Sequence, residues 1–382
     1  MCSDEERVAV RTGQPQTDDD SACFNNLLIR TEIPSNGSTI VDLAPVDQES
    51  QSIWLLLAED GQLLRHDARS GESEVVGRIS LPSEPARDPF DGHRLARRLH
   101  ASQDGNFAAV VSDYGQYGQV IDLSSGKITL KLDGGDYEPE MVPFSFRFAS
   151  WQGQVVVIHR TAWNRLDVSD ASSGQLLSER GPTSYQTGEQ RPEHCLDYFH
   201  GALYLSPKGT RILDDGWVWH PVGIPVVWNV DQWLSKNVWE SEDGQTKRDV
   251  CARDWYWDHG VAWLNEETVA IGGIGDQGNE IMDGARIFDI TSTGPASAEW
   301  RSDWKWAREI TAFAGPAGRF FSDGKWLYSA GNSGLSRWDP KTGARTGRMD
   351  NFHPTHHHLG AGELAQLSEG AILRWSTSIN RN

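Results

Sequence analysis

The chain has 382 residues, with 54 acidic against 35 basic side chains and a formal net charge of −19. That balance excludes a protein whose main task is gripping phosphate backbones, which depends on Lys and Arg; a charged partner would instead be cationic, such as a basic peptide, an amine or a metal ion. The 38 glycines and 17 tryptophans, with no sustained helical spacing of apolar residues, describe short strands broken by frequent turns.

Residues 1–22 are polar and lack a face to bury, so a loose tail is expected there, followed by one all-β domain over 23–380. The first strand is expected at 24–30, ended by Pro34-Ser35-Asn36-Gly37. A strand-turn unit then recurs. Its copies are Gly61 to Gly71, Gly118 to Gly126, the turn Asp170 to Gly174, a degenerate Val226 to Asp231, Ala285 to Gly294, Gly334 to Gly343, and Ala371 to Ser376. The spacing of roughly 40 to 60 residues is that of one four-stranded propeller blade. Within the repeat, Asp closes the turn through its side chain and Gly four residues on supplies a positive φ.

Other strands pair up within each interval, as at 97–101 with 107–111, 144–149 with 155–159, 201–205 with 211–213, and 260–264 with 269–271. The last unit ends before an outer strand, and the strand at 24–30 has no blade of its own. Open sheet edges invite aggregation, so the N-terminal strand is expected to complete the seventh blade and close the ring.

These units resemble the WD-repeat and YVTN-repeat β-propellers, the quinoprotein-like group. Trp338-Asp339 matches the signature dipeptide and Asp122-Leu123-Ser124-Ser125-Gly126 the turn that follows it, while the Gly-His pair that starts each WD repeat is missing. The resemblance covers about residues 24–378 and implies a seven-bladed fold. Propellers host many unrelated activities, so it implies little about function.

In such a blade the first-to-second and third-to-fourth turns share one face, and the second-to-third turns and blade-to-blade crossings share the other. The first face here has turns of a few residues, whereas the second is expected to carry the segments 82–95, 133–143, 181–197, 241–258 and 349–358. Long loops on a rigid scaffold are where binding concentrates. The same face is expected to bring Trp163 in the third blade's turn, Trp219 and His220 in the fourth's, Trp255, Trp257 and His259 at the entry to the fifth and Trp306 at the entry to the sixth as candidate contacts, stiff aromatic area with polar handles. A non-catalytic scaffold that binds a protein or peptide partner is the reading these residues favour.

The rival reading is a metal-assisted hydrolase or lyase at the mouth of the channel, using a divalent ion. His356 and His358 would share a face of an extended segment, and Asp258, His259, Asp276 and Glu280 are further candidate ligands. Otherwise no cofactor is implied. Gly273 to Gly278 spells GxGxxG, but a strand rather than a helix follows, so a hairpin loop is expected. His194-Cys195 and Asp258-His259 are neighbours in the chain, not constellations; a Cys195 nucleophile would need His220 or His259 beside it, and no GxSxG elbow is present. Asp214-Asp215 is read as turn-stabilising.

Cys2, Cys23, Cys195 and Cys251 suit neither a disulfide framework nor a CxxC metal site. With no basic-then-apolar start and no membrane-length apolar run, a cytoplasmic monomer is expected, without membrane or nucleic-acid partners. A structural subunit of a larger assembly is the remaining alternative.

Overall fold

The computed structural model describes residues 24, 27–34, 37–47, 51–182, 185, 188–275, 281–297 and 304–377. The tail expected at 1–22 lies outside them. The described chain folds into seven antiparallel blades around a central tunnel. Blade 1 runs Ile40–Val46, Ile53–Ala58, Gln62–Asp67, Ser73–Arg78, from inner to outer strand, and blade 2 runs Ala96–Ala101, Phe107–Asp113, Tyr117–Asp122, Lys127–Asp133. Blade 3 has Phe146–Trp151, Gln154–Ala162 and Arg165–Asp170, with only the bridge from Ser169 to Leu176 at its outer edge. Blade 4 has Phe199–Leu205, Arg211–Val218, Val226–Asn229 and Arg248–Asp249, extended by Val222–Gly223 and Arg253–Asp254. Blade 5 is Val261–Trp263, Thr268–Ile274, Met282–Thr293, Ala307–Ala314, and blade 6 is Arg319–Ser322, Leu327–Gly331, Gly334–Trp338, Arg345–Asp350.

Blade 7 consists of His356–His358, Glu363–Ser368 and Ala371–Ser376, and its outer strand is the N-terminal Ile29–Glu32. Closure is therefore as expected, with Ile29 opposite Arg374 and Glu32 opposite Ala371. The strand begins later than residue 24, because its limits are set by the partner strand; Phe24 instead packs its ring 4.6 Å from that of Trp375.

The core lies in the seams between blades. In the second strand of blade 1, Leu55 and Leu57 pack toward blade 2 with Leu99 and Val110, while Trp54 and Leu56 pack toward blade 7 with Ala365 and Ile372. Alternation sends successive side chains to opposite faces, and both faces are covered, which is why this strand reads as an unbroken apolar run. Trp338 serves the seam of blades 5 and 6 and donates its indole N–H to Ser329 Oγ at 2.9 Å.

The turn chemistry follows the repeat. Asp122 Oδ1 accepts the Ser124 and Ser125 amides at 2.8 and 3.2 Å, and the Gly126 amide donates to the Asp122 carbonyl at 2.8 Å with Gly126 at φ +69°. Asp67, Asp170 and Asp339 close their turns in the same way. In the degenerate copy Asn229 becomes a helix N-cap, accepting the Gln232 amide at 2.8 Å and starting Val230–Ser235.

Two expected loops contain regular structure. Residues 241–258 contain part of the helix Glu240–Asp243 and the strands Arg248–Asp249 and Arg253–Asp254, and 349–358 contain the inner strand His356–His358. Ile274 pairs with Met282, so the glycine-rich segment joins two strands, as expected; residues 276–280 lie outside the described ones. Among the described residues no helix is long and apolar enough to cross a membrane.

Candidate functional site

On the face formed by the crossings and second-to-third turns, a run of stacked rings crosses from blade to blade. Phe199 lies parallel to Trp217 at 4.1 Å, Trp217 to Trp257 at 4.9 Å, and Trp257 to Phe90 at 5.7 Å. Trp163 tilts onto Phe199 at 4.5 Å, and Trp219 meets Trp217 edge-on at 5.1 Å. The Trp257 indole donates to the Met141 carbonyl at 2.9 Å. Trp219 and Trp257 thus share one rim, linked through Trp217.

Their exposures differ. Trp257 is 8% exposed and belongs to the core, whereas Trp219 is 45% and Trp255 67% exposed. His220 and His259 are exposed and Trp163 half-buried. Trp306 is not on this rim. It precedes the outer strand of blade 5 rather than leading into blade 6, is 1% exposed, and packs with Trp228 and Trp233. The reason is the length of Met282–Thr293, which leaves the outer strand of blade 5 to Ala307–Ala314.

Beside the ring stack is a polar group. The Tyr114 hydroxyl donates to Asp258, whose amide donates to Asp215 Oδ2 at 3.0 Å; Arg253 holds Asp215 Oδ1 at 2.6 Å. Arg98 pairs with Asp113 at 2.5 Å, and His93 stacks on Tyr114 at 4.5 Å. Tyr114, Trp255, Asp258 and His220 all hold positive φ, from +54° to +114°. Non-glycine residues persist there only where the surroundings over-determine them, and such strain gathers at binding sites. The pair read as turn-stabilising is corrected by burial: Asp214 and Asp215 lie fully buried in the second strand of blade 4, Asp214 against His200 at 2.5 Å. Burial deprives them of the solvent a turn carboxylate has, so each is held by a cationic or polar partner.

Burial pushes Asp113 and Asp215 up to about 6, against the pull of Arg98 and Arg253. It pushes the imidazoles of His159 and His357 down to about 4. The signs oppose. Carboxylates raised in the folded chain take up protons there first, so falling pH favours the fold between about 6 and 4; histidines held below 6.5 take up protons first when unfolded, so falling pH disfavours it over the same window. The melting temperature is therefore expected to change little from pH 7 to about 5. Below about pH 4 it should drop steeply. In the turns burial raises Asp67 and Asp170, but bonds from neighbouring amides and hydroxyls bring both below the usual range; at Asp122 the Ser124 hydroxyl leads the lowering. Their stabilisation is lost as they protonate. A calorimetric series in pH checks this, and a maximum near pH 4 would contradict it.

The histidine run lies elsewhere, on the inner strand of blade 7. His356 and His358 do share one side of it, but each faces an aspartate of blade 1: His356 Nε2 lies 3.3 Å from Asp42 and His358 Nδ1 3.1 Å from Asp47. Asp258 and His259 sit at the crossing from blade 4 to blade 5 and do not join them; Asp276 and Glu280 lie outside the described residues. Among the described residues no group of three or more His, Cys, Asp or Glu side chains is placed to hold a metal ion. His194 is held by Asp243 at 2.8 Å and stacked on Trp239. No model of a known protein family matches the chain, and no curated protein matches it.

Proposed function

We propose that the chain is a non-catalytic binding propeller whose crossing-and-turn face receives a peptide or protein partner. The observation that carries this reading is the pair of outward tryptophans, Trp219 and Trp255, displayed beside a buried ring stack, with Trp255 held at φ +54°. Exposing so much indole forfeits apolar burial, and aromatic anchors on a stiff support are the usual hot spots of interfaces. Tyr137 adds a third exposed ring, and Asp88, Asp91 and Asp136 stand exposed in the same loops. Their charge suits a cationic partner.

Selection of a displayed peptide library on the purified chain, followed by titration of the enriched peptides, tests this. Basic peptides should be enriched, and the double variant Trp219→Ala, Trp255→Ala should bind them about 30-fold more weakly while melting within about 3 °C of the wild type. Equal affinity for both proteins, or no enrichment, would overturn the proposal.

A further inference from the structure

The crossing from blade 1 to blade 2 lies over the candidate face as an extended strap. From Leu81 to His93 the half-buried residues are Leu81, Glu84, Arg87, Phe90 and His93, and every residue between them is exposed. A period of three is that of the polyproline II helix, which Pro82, Pro85 and Pro89 favour; Pro89 has φ −67° and ψ 134°. As that conformation implies, residues 81–92 make no hydrogen bond to the backbone of another segment among the described residues. Side chains hold the strap down.

Each has a seat on the body of the propeller. Leu81 packs at the seam of blades 1 and 2. The Glu84 carboxylate accepts the Gln116 and Tyr117 amides at 2.9 and 3.0 Å in the second-to-third turn of blade 2, where a Cβ on Gly115 would come within 2.9 Å of it. Arg87 donates to the Asp136 carbonyl at 3.1 Å and to Glu140 at 3.4 Å, in the crossing from blade 2 to blade 3. The Phe90 ring lies within 12° of parallel to Trp257 at 5.7 Å, and His93 stacks on Tyr114 at 4.5 Å. None of the five side chains is fully buried. Half-exposed ion pairs contribute little, so the strap belongs with the segments that open at low cost. Opening would uncover the Trp257 ring and the Glu140 carboxylate together.

We propose that this strap is a tethered stand-in for the partner: an extended peptide carrying an arginine three residues before an aromatic ring displaces it, the arginine taking the Asp136 carbonyl and Glu140, and the ring taking Trp257. The inference rests on the reading of this face as a peptide-binding surface; it adds the pattern of the peptide and what restrains its uptake. A spacing of three brings both side chains to one side of a polyproline II peptide, and such peptides dock in aromatic-lined grooves at little ordering cost. The strap competes at the high local concentration that a tether gives. The affinity of the intact chain is therefore reduced by the small fraction of molecules in which the strap is off.

A fluorescent synthetic peptide of residues 80–94, titrated by anisotropy against the full chain, tests this. The wild type should bind it weakly, and the variant Arg87→Ala, Phe90→Ala, whose strap no longer fills the two seats, about tenfold or more tightly. The same peptide with alanine at both positions should lose that gain. Equal affinity of the two proteins, no binding by either, or no loss with the alanine peptide would overturn the proposal. If the double variant loses its circular dichroism signature, Arg87→Ala alone decides: it should bind the peptide several-fold more tightly than the wild type, and wild-type affinity would overturn the proposal. Failure of this inference and failure of the binding face are distinct. Peptides selected from the displayed library that bind wild type and double variant alike would leave the face a binding surface and overturn the strap's part in it. Tighter capture of the strap peptide by the variant would uphold that part even where the library enriches nothing.

Discussion

Replacing Arg374 with alanine is expected to lower stability by about 3–5 kcal/mol, the cost of leaving a buried partner charge alone. Arg374 lies on the third strand of blade 7 and is 3% exposed. Its Nη1 donates to Glu363 Oε1 at 2.8 Å and Ser52 Oγ at 3.1 Å, and its Nη2 to the Ala68 carbonyl at 2.6 Å and Thr31 Oγ1 at 3.2 Å. One side chain thereby ties blade 7 to blade 1 and to the closing N-terminal strand. Ser52 also donates to Glu363 at 2.6 Å, so the seam is a connected network. Truncation leaves the buried Glu363 carboxylate without its cation, whereas Arg374→Met with Glu363→Leu replaces both charges by apolar volume and should recover most of the loss. Urea unfolding of the two variants measures this. A single-variant loss below about 1 kcal/mol, or a double variant no better than the single, would show that closure does not depend on this pair.

The ring was legible because its signals are local. Each Asp turn is written within five residues, side-chain acceptor and positive-φ glycine together, and Asp122 to Gly126 forms as written. The seventh blade was legible by elimination, though not the start of the closing strand at Ile29, which depends on a partner strand more than 300 residues away. The candidate face was half legible. Trp217, Trp219, Trp255 and Trp257 carry the same letter, and only the turn at His220, with φ +114°, and the positive φ at Trp255 decide which rings stack inward and which stay outside. Trp306 was misplaced because nothing in 282–293 announces that this strand runs to twelve residues.

Trp257→Ala is expected to destabilise the chain by about 3–5 kcal/mol, although Trp255→Ala, two residues away, should change stability by about 0.5 kcal/mol or less. The Trp257 ring fills the space between Trp217 and Phe90, and its indole is the donor to the Met141 carbonyl in the crossing from blade 2 to blade 3. Alanine removes both the stacking area and that donor, and the parallel rings on either side cannot close a gap of one ring thickness without moving the loops that carry them. Trp257→Phe separates the contributions. It keeps most of the stacked area and leaves the carbonyl unpaired, for a cost of about 1–3 kcal/mol. Because Trp217 touches Trp257, the double variant Trp217→Ala, Trp257→Ala should lose less than the sum of the singles. Chemical denaturation of these variants together with Trp217→Ala alone distinguishes a shared support from independent side chains: if Trp257→Ala unfolds at the wild-type midpoint, the exposed tryptophans of this face have no rigid platform beneath them.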